Sequence, residues 1–141
     1  LDAVFAELSA QDVYLEGMIL KPNMVISGKK CPEQASVQEV AERTVKVLKR
    51  RVPAAVPGIA FLSGGQSDVD ATAHLDAMNK IGNLPWTLTF SYGRALQAAA
   101  LKAWGGKTEG LDKGRAAHLH RAKMNGLAAQ GKWNKGLEKG A

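Results

Sequence analysis

The chain has 141 residues, 45% of them hydrophobic and 23% charged, a composition that builds one globular unit with a sizeable core and excludes a disordered chain. No apolar stretch approaches the roughly 18 residues of a membrane span, and the opening "LDAVFAELSAQD" lacks a signal peptide's basic start, so a cytoplasmic protein with no membrane partner is expected. The net charge of +6 lies wholly in residues 102–141, nine Lys or Arg against three acids, and with Trp104 and Trp133 far apart it offers no nucleic-acid platform but fits solubility or an anionic ligand nearby.

Residues 1–10 set Leu1, Val4, Phe5 and Leu8 at helical spacing, so the chain opens within an amphipathic helix. "VYLEGMILKP" reads as a strand closed by Pro22, and "NMVISGKKCPEQAS" as a loop with Gly and Pro punctuation. Ser36 and Glu39 form a capping box before a helix whose face carries Val37, Val40, Ala41, Thr44, Val45, Leu48 and Val52. The run "IAFL" breaks into "SGGQS", where Ser67 and Asp70 cap a second helix bearing Ala71, Leu75 and Met78. "PWTLTF" breaks into "SYGR", and a helix over Ala95 to Trp104 follows, stopped by Gly105 and Gly106. "LDKGRAAHLHRAKMNGLAAQGKW" favours helix interrupted at Gly114 and Gly126, and "NKGLEKGA" reads as a loose end.

Three short apolar strands alternating with helices predict parallel βα units, either in a doubly wound sheet or in a (β/α)8 barrel. In both architectures the active site lies at the C-terminal strand ends. Here those ends are Lys21, "SGGQS" and "SYGR".

Each end suggests a kind of chemistry. Two glycines between a strand and a helix let the backbone approach an anion closely and aim free N–H groups at it. Arg94 in "SYGR" adds a guanidinium fork suited to phosphate. A lysine placed among cations and dry walls has its pKa pushed down, and its neutral amine can attack a ketone and form an iminium, an electron sink for breaking the adjacent carbon–carbon bond. Other motifs do not hold. "GGKT" at 105–108 mimics the end of a phosphate-binding loop, but Leu101 stands where the leading glycine is needed. His118 and His120 fall on different sides of a helix and His74 is distant, so no metal is expected and the histidines read as solvated or structural. The single Cys31 has no internal disulfide partner.

"LEGMILKPNMV", "GIAFLSGGQS" and "WTLTFSYGRALQAAALKAWGG" closely resemble class I fructose-bisphosphate aldolase, the metal-independent Schiff-base family, with likeness from about Val13 to Lys132. The resemblance implies Lys21 as the Schiff-base lysine. It implies Leu62, Ser63 and Gly64 as one half of a substrate phosphate site and Ser91, Gly93 and Arg94 as the other. It also implies reversible cleavage of fructose 1,6-bisphosphate to dihydroxyacetone phosphate and glyceraldehyde 3-phosphate in glycolysis and gluconeogenesis, no cofactor, and (β/α)8 subunits assembled as homotetramers.

Against that pattern about five strands are missing, along with the family's acidic residues and two further lysines. The chain is therefore expected to be the C-terminal part of a barrel subunit that folds poorly alone. Within it, residues 1–12 would end a preceding helix, 13–106 would form three βα units and 107–141 a C-terminal helix and tail. The terminal tyrosine of many animal members has no counterpart in "NKGLEKGA". Two rivals share parts of this reading: a non-catalytic phosphate-binding or scaffolding module, and a Schiff-base barrel aldolase acting on another phosphosugar.

Overall fold

A computed structural model describes residues 1–140. The expected alternation is present: three parallel strands in the order β1-β2-β3 lie beneath a layer of helices. The strands are β1 (Ile19–Leu20), β2 (Gly58–Phe61) and β3 (Thr87–Phe90), with Leu20, Ile59 and Leu88 in one register row and Phe61 opposite Phe90. The helices are α1 (Asp2–Ala10), α2 (Val37–Arg51), α3 (Asp68–Ile81), α4 (Arg94–Trp104) and α5 (Leu111–Ala128). The arrangement is that of three βα units of a (β/α)8 barrel. No helix of the described residues is long and apolar enough to cross a membrane.

Side-chain alternation sorts the sheet's two faces. Ile59, Phe61 and Leu88 are buried beneath the helices with Val40, Leu48, Leu75 and Met78, whereas Ile19 and Thr87 on the opposite face are exposed. Gly58 makes room there, since a Cβ on it would stand 3.2 Å from Ile19 Cδ1. The α2 and α3 boundaries follow from their caps: Ser36 Oγ accepts from Glu39 N and Ser67 Oγ from Asp70 N. Only half of the first capping box forms, because the Glu39 carboxylate pairs with Arg43.

Three local expectations are corrected. The strand expected over residues 13–22 shrinks to two residues, with a 3₁₀ turn at Leu15–Gly17 before it. Its pairing partner β2 begins right after Pro57, which has no N–H to extend the ladder. Helix α5 runs unbroken through both Gly114 and Gly126. Of "NKGLEKGA", the described residues are not loose, and Ala141 lies outside them: Trp133 N donates to Asp76 Oδ1, Lys80 Nζ donates to the Trp133 carbonyl, and Glu138 accepts from Arg121 and from the Trp133 indole.

The two α5 glycines differ in what surrounds them, and opposite effects on stability follow. A Cβ at Gly114 would lie 2.9 Å from Trp104 Cβ and 3.3 Å from the Ala100 carbonyl, so this glycine sets how closely α4 approaches α5. Gly114→Ala is expected to destabilise the fold by about 1–3 kcal/mol, because overpacking outweighs the gain in helix propensity. At Gly126 nothing lies within 4 Å. Gly126→Ala is expected to stabilise by about 0.5–1 kcal/mol. Denaturant midpoints of the two variants in the complete subunit check both signs.

Candidate functional site at the strand ends

Two backbone bonds beyond the regular ladder bind the strand ends together. Leu62 N donates to the Pro22 carbonyl at 3.1 Å, and Ser91 N donates to the Phe61 carbonyl at 2.8 Å. Lys21–Pro22, Leu62–Ser63 and Ser91 therefore emerge side by side on one edge of the sheet. By alternation from Ile19, Lys21 belongs to the open face, and continuing the register sets it level with Ala60 and Thr89. Lys21 is exposed, so the dry wall expected around it is not built by the described residues.

The first turn is a tight one. Gln66 N donates to the Ser63 carbonyl at 2.8 Å, with Gly64 and Gly65 at φ values of 48° and 82° between them, the type I′ pattern that side chains resist. Ser63 is buried beneath it and Leu62 half-buried. A Cβ on Gly64 would strike Asn23 Oδ1 at 2.7 Å, and one on Gly65 would meet Lys29 Nζ at 3.0 Å and Arg94 Nη2 at 3.9 Å. The second turn holds Ser91 and Gly93 exposed on either side of Tyr92, which is buried and whose hydroxyl donates to the Ala71 carbonyl at 2.9 Å. Burial pushes the Tyr92 phenol well above its ordinary pKa, so it stays a neutral donor. Arg94 opens α4 over Gly93, a helix start with no side-chain cap, which leaves its first N–H groups available to an anion.

Arg94 thus meets the first turn at Gly65, while Lys21 directly follows β1, which β2 separates from β3. Leu62, Ser63, Gly64, Ser91, Gly93 and Arg94 come to this edge as expected from their position, together with Gln66 of "SGGQS" and with Asn23, Lys29 and His74, whose part here the sequence did not indicate. Gln66 Nε2 lies 2.6 Å from His74 Nδ1 and 3.4 Å from the Met24 sulfur, tying the first turn both to α3 and to the segment after Lys21. Burial lowers the His74 pKa despite the opposing Asp70 charge, which keeps the imidazole neutral and able to accept from that amide. His120 lies 3.3 Å from Glu138, a structural role. Among the described residues no three His, Cys, Asp or Glu side chains converge as a metal-holding group, and Cys31 is exposed and free.

A surface hollow of about 540 Å³ lies elsewhere, between α4 and α5. Walled mainly by Leu101, Trp104, Leu111 and Leu119, it offers little to orient a charged ligand.

Comparison with known proteins places this geometry. A family model described as fructose-bisphosphate aldolase class-I matches residues 1–141. The probable fructose-bisphosphate aldolase class 1 of Xanthomonas axonopodis pv. citri is 59% identical over 134 residues, covering 94% of this chain and 40% of that protein. The fructose-bisphosphate aldolase of Dictyostelium discoideum is 49% identical, over 94% of this chain and 37% of that protein. The Plasmodium falciparum fructose-bisphosphate aldolase, solved with TRAP and a small-molecule inhibitor, superposes with a TM-score of 0.91 at 49% identity, over 94% of this chain and 38% of that one. The chain spans about 40% of the length of the curated relatives it matches.

Proposed function

The chain belongs to the class I fructose-bisphosphate aldolase family, and from that premise we propose that it serves in reversible cleavage of fructose 1,6-bisphosphate through a Schiff base on Lys21. In this reading it supplies three βα units over 13–106, preceded by the end of a helix (1–12) and followed by a C-terminal helix and tail (107–141), within a longer barrel subunit. The rest of the barrel closes the open face and supplies the dry wall and the acid–base groups. The subunit assembles as a cytoplasmic homotetramer and works in glycolysis and gluconeogenesis without a cofactor. The observation that carries the reading is the lacing of Lys21 to two anion-ready turns by the Pro22–Leu62 and Phe61–Ser91 bonds.

The chemistry follows from those positions. The turns of Ser63–Gly64 and Ser91–Gly93, with Leu62 beside the first and Arg94 closing the second, bind the phosphate next to the ketone and so fix the carbonyl carbon near the amine. Lys21 Nζ adds to that carbon, water leaves, and an iminium forms. The iminium takes up the electron pair of the bond between C3 and C4 as it breaks. Glyceraldehyde 3-phosphate departs, its hydroxyl proton passing to a base on the remainder of the subunit. The resulting enamine is protonated at C3, and hydrolysis returns the free amine and dihydroxyacetone phosphate.

The test is turnover of fructose 1,6-bisphosphate by the complete subunit with and without a strong chelator. Cleavage at the same rate in both is the expected result. Binding without cleavage would favour a scaffolding module, and loss of cleavage on chelation would contradict the Schiff-base route.

A further inference from the structure

We propose that Lys29 supplies a second cation to the phosphate cradle, opposite Arg94, and sets its preference for a phosphomonoester dianion; this rests on the functional reading above. The two cations converge on one backbone point: the position a Gly65 Cβ would take is 3.0 Å from Lys29 Nζ and 3.9 Å from Arg94 Nη2. They arrive from different parts of the chain, Lys29 from the segment after β1 and Arg94 from the first turn of α4. Among the described residues, neither belongs to any of the ion pairs the fold makes. Of the two carboxylates that follow that turn, Asp68 Oδ1 accepts from Val69 N at 3.2 Å and Asp70 Oδ2 from Ser67 Oγ at 2.7 Å.

Like charges brought together repel, and an anion between them removes the repulsion. A sugar phosphate carries about −1.5 to −2 at neutral pH, more than one guanidinium neutralises. Lys29, Gly64, Gly65, Ser67 and Asp70 line a cleft of about 330 Å³, room enough for a phosphate group, and Arg94 reaches Gly65 from beside it rather than from its walls. Arg94 suits two oxygens in its fork, and the ammonium of Lys29 acts as a point charge on the third. Gly65 is the position where any side chain would fill the space in which the two cations meet.

The experiment compares Lys29→Gln and Lys29→Arg with the native complete subunit. It measures kcat and KM for fructose 1,6-bisphosphate at two ionic strengths, and direct binding of inorganic phosphate. Lys29→Gln is expected to raise KM and weaken phosphate binding about tenfold with kcat within about twofold. It should also flatten the salt dependence, and Lys29→Arg should restore most of the loss. A merely structural role would not produce that split or the rescue. An unchanged KM and phosphate affinity in Lys29→Gln would overturn the inference while leaving the Schiff-base reading intact. If the native subunit does not cleave the substrate, the functional reading falls, and phosphate binding by native protein against Lys29→Gln still decides the role of Lys29.

Discussion

Lys21→Arg in the complete subunit is expected to reduce cleavage of fructose 1,6-bisphosphate by on the order of 10³-fold or more. Arginine keeps the positive charge and much of the reach of lysine, but its guanidinium is not deprotonated in proteins and cannot form an iminium. In the proposed site phosphate is held by Leu62–Gly64, Ser91–Gly93 and Arg94, not by Lys21, so the variant should still bind inorganic phosphate. Folding should be little affected, because arginine keeps the charge and most of the aliphatic stem of lysine. The effect is thus confined to kcat, with phosphate affinity within about threefold. Activity within tenfold of native would mean that another group carries the covalent step.

Arg121→Ala is expected to destabilise the fold by about 3–5 kcal/mol, the usual loss when one partner of a buried ion pair is removed. Arg121 is 4% exposed, yet its Nη1 donates to Glu138 and its Nη2 to Thr72 Oγ1 at 2.7 Å and to the Asp68 carbonyl at 3.3 Å. Thr72 Oγ1 in turn donates to Asn125 Oδ1 at 2.8 Å, and Asn125 Nδ2 donates to the Arg121 carbonyl. The network joins α3, α5 and the chain end, so truncation leaves several buried groups unpaired at once. Among the described residues Arg121 Nε finds no partner.

The same network gives an acid response. Burial alone would raise the Glu138 pKa, but bonds from Arg121 and the Trp133 indole, the Arg121 charge and the His120 contact together hold it below the ordinary carboxylate value. A carboxyl whose folded pKa is depressed contributes stability that is fully present above its unfolded pKa and disappears as pH falls through the folded value. Native protein should therefore lose stability progressively below about pH 4.5, and Arg121→Ala should lose less over that window. Denaturant melts of both proteins as complete subunits between neutral and acid pH measure the loss and its pH dependence together. A loss under about 1 kcal/mol at neutral pH would show that the pair is not structural.

Much of the fold was legible because its signals are local. Ser36 and Ser67 announce α2 and α3 within three residues of the N–H groups they cap. "IAFL" and "TLTF" are apolar runs short enough to be strands and too short to be helices. The turns at Gly64 and Gly93 were legible for the same reason. What escaped depends on partners distant in sequence. Gly114 reads as a helix breaker until Trp104 is known to press against it, and "NKGLEKGA" reads as loose until Glu138 is seen to meet Arg121 on another element. Lys29 lies in a loop with no periodicity, and only the folded chain brings it to Gly65 and Arg94. The two-residue length of β1 reflects where β2 begins, which the strand's own composition does not contain.

The most direct measurement is borohydride trapping. The complete subunit is incubated with dihydroxyacetone phosphate, reduced, digested, and searched for the peptide carrying the mass adduct. A single adduct on Lys21, lost in Lys21→Arg, is the predicted result. A folded, phosphate-binding subunit that yields no adduct on Lys21 would contradict the Schiff-base assignment.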